Sequence, residues 1–234
     1  MTARTTSGRR PRAPWLAPAG LMLLILIPLL AGGARLTELT GGAELTPRNA
    51  RFVESPIPVV THIVSVTVYG LLGALQFVPS LRRRSWHRIA GRVLVPAGLL
   101  VALSGLWMTV FYPYPVGDGV ALFVLRLVFG SAMVLSIGLG LSAVLRRDFS
   151  RHSAWMTRAY AIGVAAGTQA ILLIPGAILF GPTHEASRAV LMGTAWVLNL
   201  AVAEYVIRRR PTPAGPRSRQ RRPTRSGAAS AVAS

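Results

Sequence analysis

The sequence predicts an all-α protein, a polytopic transmembrane helix bundle of about six spans with both termini in the cytoplasm. Three observations predict it. Of the 234 residues 52% are hydrophobic, and they gather into long runs instead of recurring at helical or strand period. Several runs reach the roughly 20 apolar residues that a helix needs to cross a hydrocarbon core about 30 Å thick. The arginines alternate in density from one connecting loop to the next, which is how positive residues mark the cytoplasmic side.

Uncharged runs place the spans near Leu16–Ala34, Pro56–Ser80, Val93–Val116, Gly119–Leu145, Ala159–Gly181 and Ala189–Ile207, with Arg126 and Glu204 the only formal charges inside them. This divides the chain into a basic cytoplasmic N-tail (residues 1–14), a six-helix transmembrane domain (15–207) and an Arg-rich tail (208–234). That tail has almost nothing apolar to bury and is expected to be disordered. The first segment also resembles a signal peptide, since basic residues precede an apolar stretch that ends in Ala31, Gly32, Gly33 and Ala34. Arg9 and Arg10 make a weak twin-arginine match, because Pro11 and Arg12 follow where apolar residues belong. The remaining spans keep their orientation on either reading.

All 26 basic residues are arginine. The N-tail, the second loop (Arg82, Arg83, Arg84, Arg88, Arg92), the fourth loop (Arg146, Arg147, Arg151, Arg158) and the C-tail together hold 21, while Arg35, Arg48, Arg51 and Arg188 lie on the other side. That split predicts a multi-pass protein of the cytoplasmic membrane. It also accounts for the net charge of +19 without nucleic acid. Anionic lipid headgroups are the natural partners of the tail, at about 1 kcal/mol per arginine near the surface.

There is no cysteine, which excludes disulfides, thiolate metal sites, iron–sulfur clusters and a cysteine nucleophile. No nucleophile elbow, phosphate-cradling glycine loop, zinc-protease motif or carboxylate pair is present either. Chemistry, if the chain has any, must come from polar residues that the bilayer would otherwise exclude.

His62 shares a helical face with Ser65, Tyr69, Gly73 and Gln76, and that face is expected to point into the bundle. It reads either as interhelical glue, at about 1 kcal/mol or less per contact, or as a cofactor ligand or proton carrier. His87 and His152 sit at corresponding depth on the arginine-rich side, each in a loop leading into a span, where they either solvate the headgroup region or bind a ligand. His184 lies on the outer side in a short turn. Neutral imidazole is a standard axial ligand of haem iron, and histidines on neighbouring helices can clamp a porphyrin. Two such pairs, one per leaflet, would form an electron route.

Arg126, about two turns inside the fourth span, either snorkels to the headgroups or pairs with an anion such as a haem propionate or substrate carboxylate. Glu204 reads as interfacial, with Arg208 at i+4 as its partner. Gln169 and Asn199 read as packing amides, and Gly163 with Gly167 as a small-xxx-small pair that lets helices approach.

Two segments, residues 84–93 (RSWHRIAGRV) and 151–160 (RHSAWMTRAY), resemble the signatures of a bacterial family of predicted membrane proteins known as domain of unknown function 2306. His62, His87 with Gly91 and Arg92, and His152 with Trp155, Met156 and Arg158 match its pattern from the second to the sixth span. The resemblance singles out those three histidines and leaves His184 outside it.

The expectation is therefore a b-type haem-binding protein that passes electrons between a quinone or cytoplasmic reductant and an outer acceptor. His87 and His152 come first as iron ligands, then His62, with Arg126 as propionate partner. The rival is a small transporter or an assembly factor without redox chemistry, whose polar face is that of His62, Tyr69 and Gln76.

Overall fold

A computed structural model describes residues 15–42, 44–82, 85–115, 117–181 and 184–210. Among the described residues the chain forms nine helices and no strand. They are α1 (Leu16–Thr40), α2 (Ala50–Glu54), α3 (Pro56–Leu75), α4 (Pro79–Arg82), α5 (Ser85–Phe111), α6 (Val120–Leu145), α7 (Phe149–Gly163), α8 (Ala165–Phe180) and α9 (Glu185–Arg208). Six spans are long and apolar enough to cross a membrane, with α7 and α8 together making one of 31 residues, Phe149–Leu179.

Helix ends differ from the apolar runs wherever helical turns carry charge. α1 continues past Ala34 to Thr40 and brings Arg35 and Glu38 together as an ion pair one turn apart. α3 stops at Leu75, and a turn leads into the short α4, because Pro79 has no N–H to continue the ladder. α5 begins at Ser85 and α7 at Phe149, so His87 and His152 lie in first helical turns and not in loops. At the second of these ends Asp148 caps the helix, its carboxylate accepting from the Arg151 N–H at 2.9 Å. The N-tail and nearly all of the C-tail fall outside the described residues.

Five of the spans close into a ring with α8: α1 meets α3, α3 meets α5, α5 meets α6, α6 meets α9, α9 meets α8, and α8 returns to α1. α7 occupies the middle, touching α3, α5, α6 and α9. Its buried side, from Thr157 to Ile162, is mostly small residues. Lipid-facing positions such as Leu23, Leu30, Leu135, Leu145, Ile178 and Val202 are exposed on the outside, as expected where hydrocarbon replaces water as solvent.

A layer of aromatic rings crosses the centre. The Tyr160 hydroxyl donates to Gly70 O at 2.8 Å, and its ring lies 5.7 Å from that of Tyr69 and 5.2 Å from that of Phe77. Tyr69 fits only because its neighbours are glycines: Cβ atoms on Gly98 of α5 and Gly163 of α7 would stand 2.6 and 2.9 Å from its ring. The expected close approach at Gly163 and Gly167 is thus present, the second against α1, where a Cβ would lie 2.0 Å from Leu24 O.

Just beyond this layer the fifth span breaks at Val164. Past Gln169, α8 is largely exposed, and the helix packs mainly on α1 and α9. The span that fills the centre of one half of the bundle therefore leaves it in the other half.

Candidate functional site: a cavity in one half of the bundle

The space vacated by α8 is a cavity of about 410 Å³, inside the range of roughly 300–1,000 Å³ typical of small-molecule sites. Its floor lies at Met133, Ile162 and Gly163, beside the Tyr69 layer, and its body is mainly apolar, with Trp196 on one wall. Trp196 is fixed by stacking on Phe129 at 4.8 Å. His62 and Gln169 supply polar atoms in the body, and Arg51, Tyr112 and Arg126 stand toward the end opposite the arginine-rich loops.

His62 is half-buried on α3, on the face that also buries Ser65, Tyr69 and Gly73. Its Nδ1 lies 3.0 Å from Ser104 Oγ of α5. The Ser104 hydroxyl also lies 2.5 Å from Leu100 O and 3.3 Å from Val101 O. The contact engages Nδ1 and fixes the orientation of the ring, as a hydrogen bond at one nitrogen of a histidine does where the other nitrogen serves as a ligand or proton acceptor.

Arg126 reaches Asp118 with Nη2 2.6 Å from Oδ2, and Arg188 of α9 reaches the other oxygen with Nε 2.8 Å from Oδ1. The Asp118 side chain is 1% exposed and that of Arg126 28%. Of the two expectations for Arg126, facing the bundle with an anionic partner is the one present, and that partner belongs to the protein. Arg51 of α2 stands over the Phe52 ring at 4.5 Å, with the Arg35 guanidinium 4.6 Å from the same ring. The Tyr112 hydroxyl donates to Ser55 O at 2.6 Å and closes the loop after α5 against the start of α3.

The other two matched histidines are at the opposite end. Gly98 and Gly163 face each other across Tyr69, and His87 and His152 each precede one of them by eleven residues. Eleven residues are about 16 Å of rise and three turns, which puts both histidines at one depth on the faces turned toward that seam. His152 Nδ1–H donates to Gly140 O of α6 at 2.8 Å. Ser104 and His87 are seventeen residues apart on α5, so the cavity histidine and this end are separated by about 25 Å. Of the expected residues the structure brings together His62 and Arg126. His184, at the start of α9, is exposed.

The rest of the second sequence segment has packing work. Met156 lies against Gly140. Trp155 sits under the Arg158 guanidinium at 4.6 Å, and Arg158 grips Glu204 of α9 at 2.5 and 3.1 Å. The partner of Glu204 is therefore Arg158 and not Arg208, because a cross-helix guanidinium reaches both carboxylate oxygens. Arg210 extends the clamp by donating to Ser153 and Thr157 at 2.5 and 2.8 Å. The amides are packing groups, as expected: Asn199 donates to Ala161 O at 3.1 Å and accepts from Thr168 at 2.8 Å, and Gln169 donates to Met192 O at 3.4 Å. Ser104, Arg51 and Asp118 were not legible as site residues. Ser104 is a lone hydroxyl in an apolar run, and the other two stand among loop charges.

Among the described residues no three or more His, Asp or Glu side chains converge as a metal site, so a metal-bearing ligand would have to bring most of its own coordination. Fold and site together define an integral-membrane helical bundle with a mainly apolar cavity among its helices. The chain belongs to the predicted membrane protein family DUF2306, whose model matches residues 59–207. No curated protein and no solved structure matches it. The match takes in α3 to α9 almost whole and leaves out α1, which contributes Pro28, Leu29 and Gly32 to the cavity wall.

Proposed function

We propose that this membrane protein binds haem b in the cavity, with His62 as an axial ligand, and passes electrons across the bilayer. The observation that carries this reading is the contact of His62 Nδ1 with Ser104, which orients an imidazole that lines a mainly apolar cavity. Haem demands the features found together there: an imidazole nitrogen for iron, apolar walls for the macrocycle, and cations for its carboxylates. Ser104 would orient the ligand ring as second-sphere partners do. When bound, the haem supplies a one-electron redox couple that no side chain of this chain provides.

His87 and His152, at one depth near the other end, are the residues for a second site, which places one site in each leaflet. The arginine distribution orients the chain with both termini in the cytoplasm of a bacterial cell, in the cytoplasmic membrane. A quinone or cytoplasmic reductant would then meet the His87 end and an outer acceptor the cavity end, while the arginine tail rests on anionic lipids.

The second reading is a small transporter for an amphipathic anion. It is favoured by the excess of guanidinium over carboxylate around Asp118.

The test is an oxidised-minus-reduced absorbance spectrum of the detergent-purified chain, with a quantitative haem assay on the same sample. A b-type band that His62→Ala removes or shifts supports the proposal. A colourless preparation from cells supplied with haem sinks it and leaves the transporter.

A further inference from the structure

Around the cavity mouth the charges do not balance. Arg35 is paired with Glu38, and Glu38 also accepts from Asn49 at 2.7 Å. Asp118, the carboxylate paired with Arg126, is shared with Arg188, and the Glu185 side chain stands beside neighbouring Gly119. Beside its stacking on Phe52, Arg51 makes one long hydrogen bond, from Nη1 to Pro113 O at 3.5 Å, and its Nε is buried without a hydrogen-bond partner. Burial is the largest influence on its guanidinium and pushes the pKa below the ordinary value, Asp118 pushes it back up, and Arg126 and Arg35 press it down again. Guanidinium stays charged through such shifts. Asp118 is paired with Arg126 and Arg188 and balances the Arg51 charge only from a distance, so an anion in direct contact with this partly buried cation lowers its cost.

We infer that Arg51, together with Arg126, is a carboxylate-recognition site, so that the cavity selects amphipathic molecules whose apolar body enters the bundle and whose acid group stays at the mouth. This rests on the cavity as the binding site named above, and it adds that the acid, independent of iron, decides what enters. Arg51 lines the cavity without a carboxylate in salt-bridge contact among the described residues, and is the principal contact. Asp118 holds Arg126 in place and keeps part of its charge engaged, so Arg126 is the secondary one. Tyr112 lines the same mouth, with its proton already committed to Ser55 O, and offers the acid no donor.

The experiment compares acids with their own esters on the purified full chain in detergent. Iron-free protoporphyrin IX is titrated against its dimethyl ester, and oleate against methyl oleate, with quenching of tryptophan fluorescence as readout for the porphyrins and competition for the fatty acyl pair. The acid of a pair is expected to bind about tenfold or more tightly than its ester, the scale of a charge-assisted pair. Arg51→Gln should abolish that preference and Arg51→Lys restore part of it.

Equal affinity of acid and ester in the unsubstituted chain overturns the inference without any variant having to fold, and leaves the haem reading to stand on its spectrum. A preference that persists in a folded Arg51→Gln protein also overturns it, as does failure of all four probes to bind. If oleate is preferred over its ester through Arg51 while neither porphyrin binds, the acid site stands, and the spectrum of the purified chain decides the haem reading separately.

Discussion

The imidazole of His62 and the hydroxyl of Ser104, 42 residues apart in the chain, meet at 3.0 Å across α3 and α5. The contact sets the orientation of the imidazole that lines the cavity. Removing the hydroxyl should therefore change ligation more than stability. On the haem reading proposed above, Ser104→Ala is expected to lower haem retention by roughly 10–100-fold, the usual cost of losing a group that orients a ligand, with little change in thermal unfolding. Haem titration and a melting curve on the same variant check both halves of the statement.

The Arg158–Glu204 pair ties α7 to α9 at the arginine-rich end. Both side chains are partly exposed, so the pair is worth about 1 kcal/mol and not a buried-pair value. Glu204→Gln should lower the melting temperature by a few degrees. Arg208→Gln, one turn along the same helix, should lower it less. Equal effects would mean that the carboxylate is held by the local helix and not by α7.

Where α1 crosses α8 there is no room for a side chain on Gly167, since a Cβ would fall 2.0 Å from Leu24 O. Gly167→Ala should push α1 away from the bundle at a cost of about 1–3 kcal/mol. Gly33→Ala, whose Cβ would meet nothing within 4 Å, should be neutral or slightly stabilising through helix propensity. Differential scanning fluorimetry of the two variants in one detergent separates them.

Orientation is open to direct measurement because the chain has no cysteine. Single cysteines at exposed positions report one side each. With both termini inside, His184→Cys in intact cells should react with a membrane-impermeant maleimide and Ser150→Cys should not. The reverse labelling would invert the topology.

Most of the architecture could be read from the chain because hydrocarbon demands long apolar runs and arginines mark the loops. What escaped were helical turns outside the hydrocarbon. Ser85 to Arg92 and Phe149 to Arg158 are helical although charge ends the apolar pattern there, so the histidines in them were taken for loop residues. Val164 could not be read as a break either, since Gly163 and Gly167 flank it in a sequence that also reads as one continuous span. Half of the site was legible. His62 and Arg126 stand out as polar groups inside spans, while Arg51 becomes part of the site only when α2 folds over the mouth.

The fifth span answers to two different solvents along its length. From Thr157 to Ile162 it is surrounded by other helices, and each side chain must fit a shape set by its neighbours. Beyond Gln169 it meets lipid, where Ile171, Ile174, Ile178 and Leu179 are exposed and need only be apolar. Sequence drift should follow that divide. Residues of the first half can change only in concert with α3, α5 and α6, whereas the second half can exchange one hydrocarbon side chain for another almost freely. A substitution scan of this one segment would trace the bundle's inner and outer surfaces residue by residue.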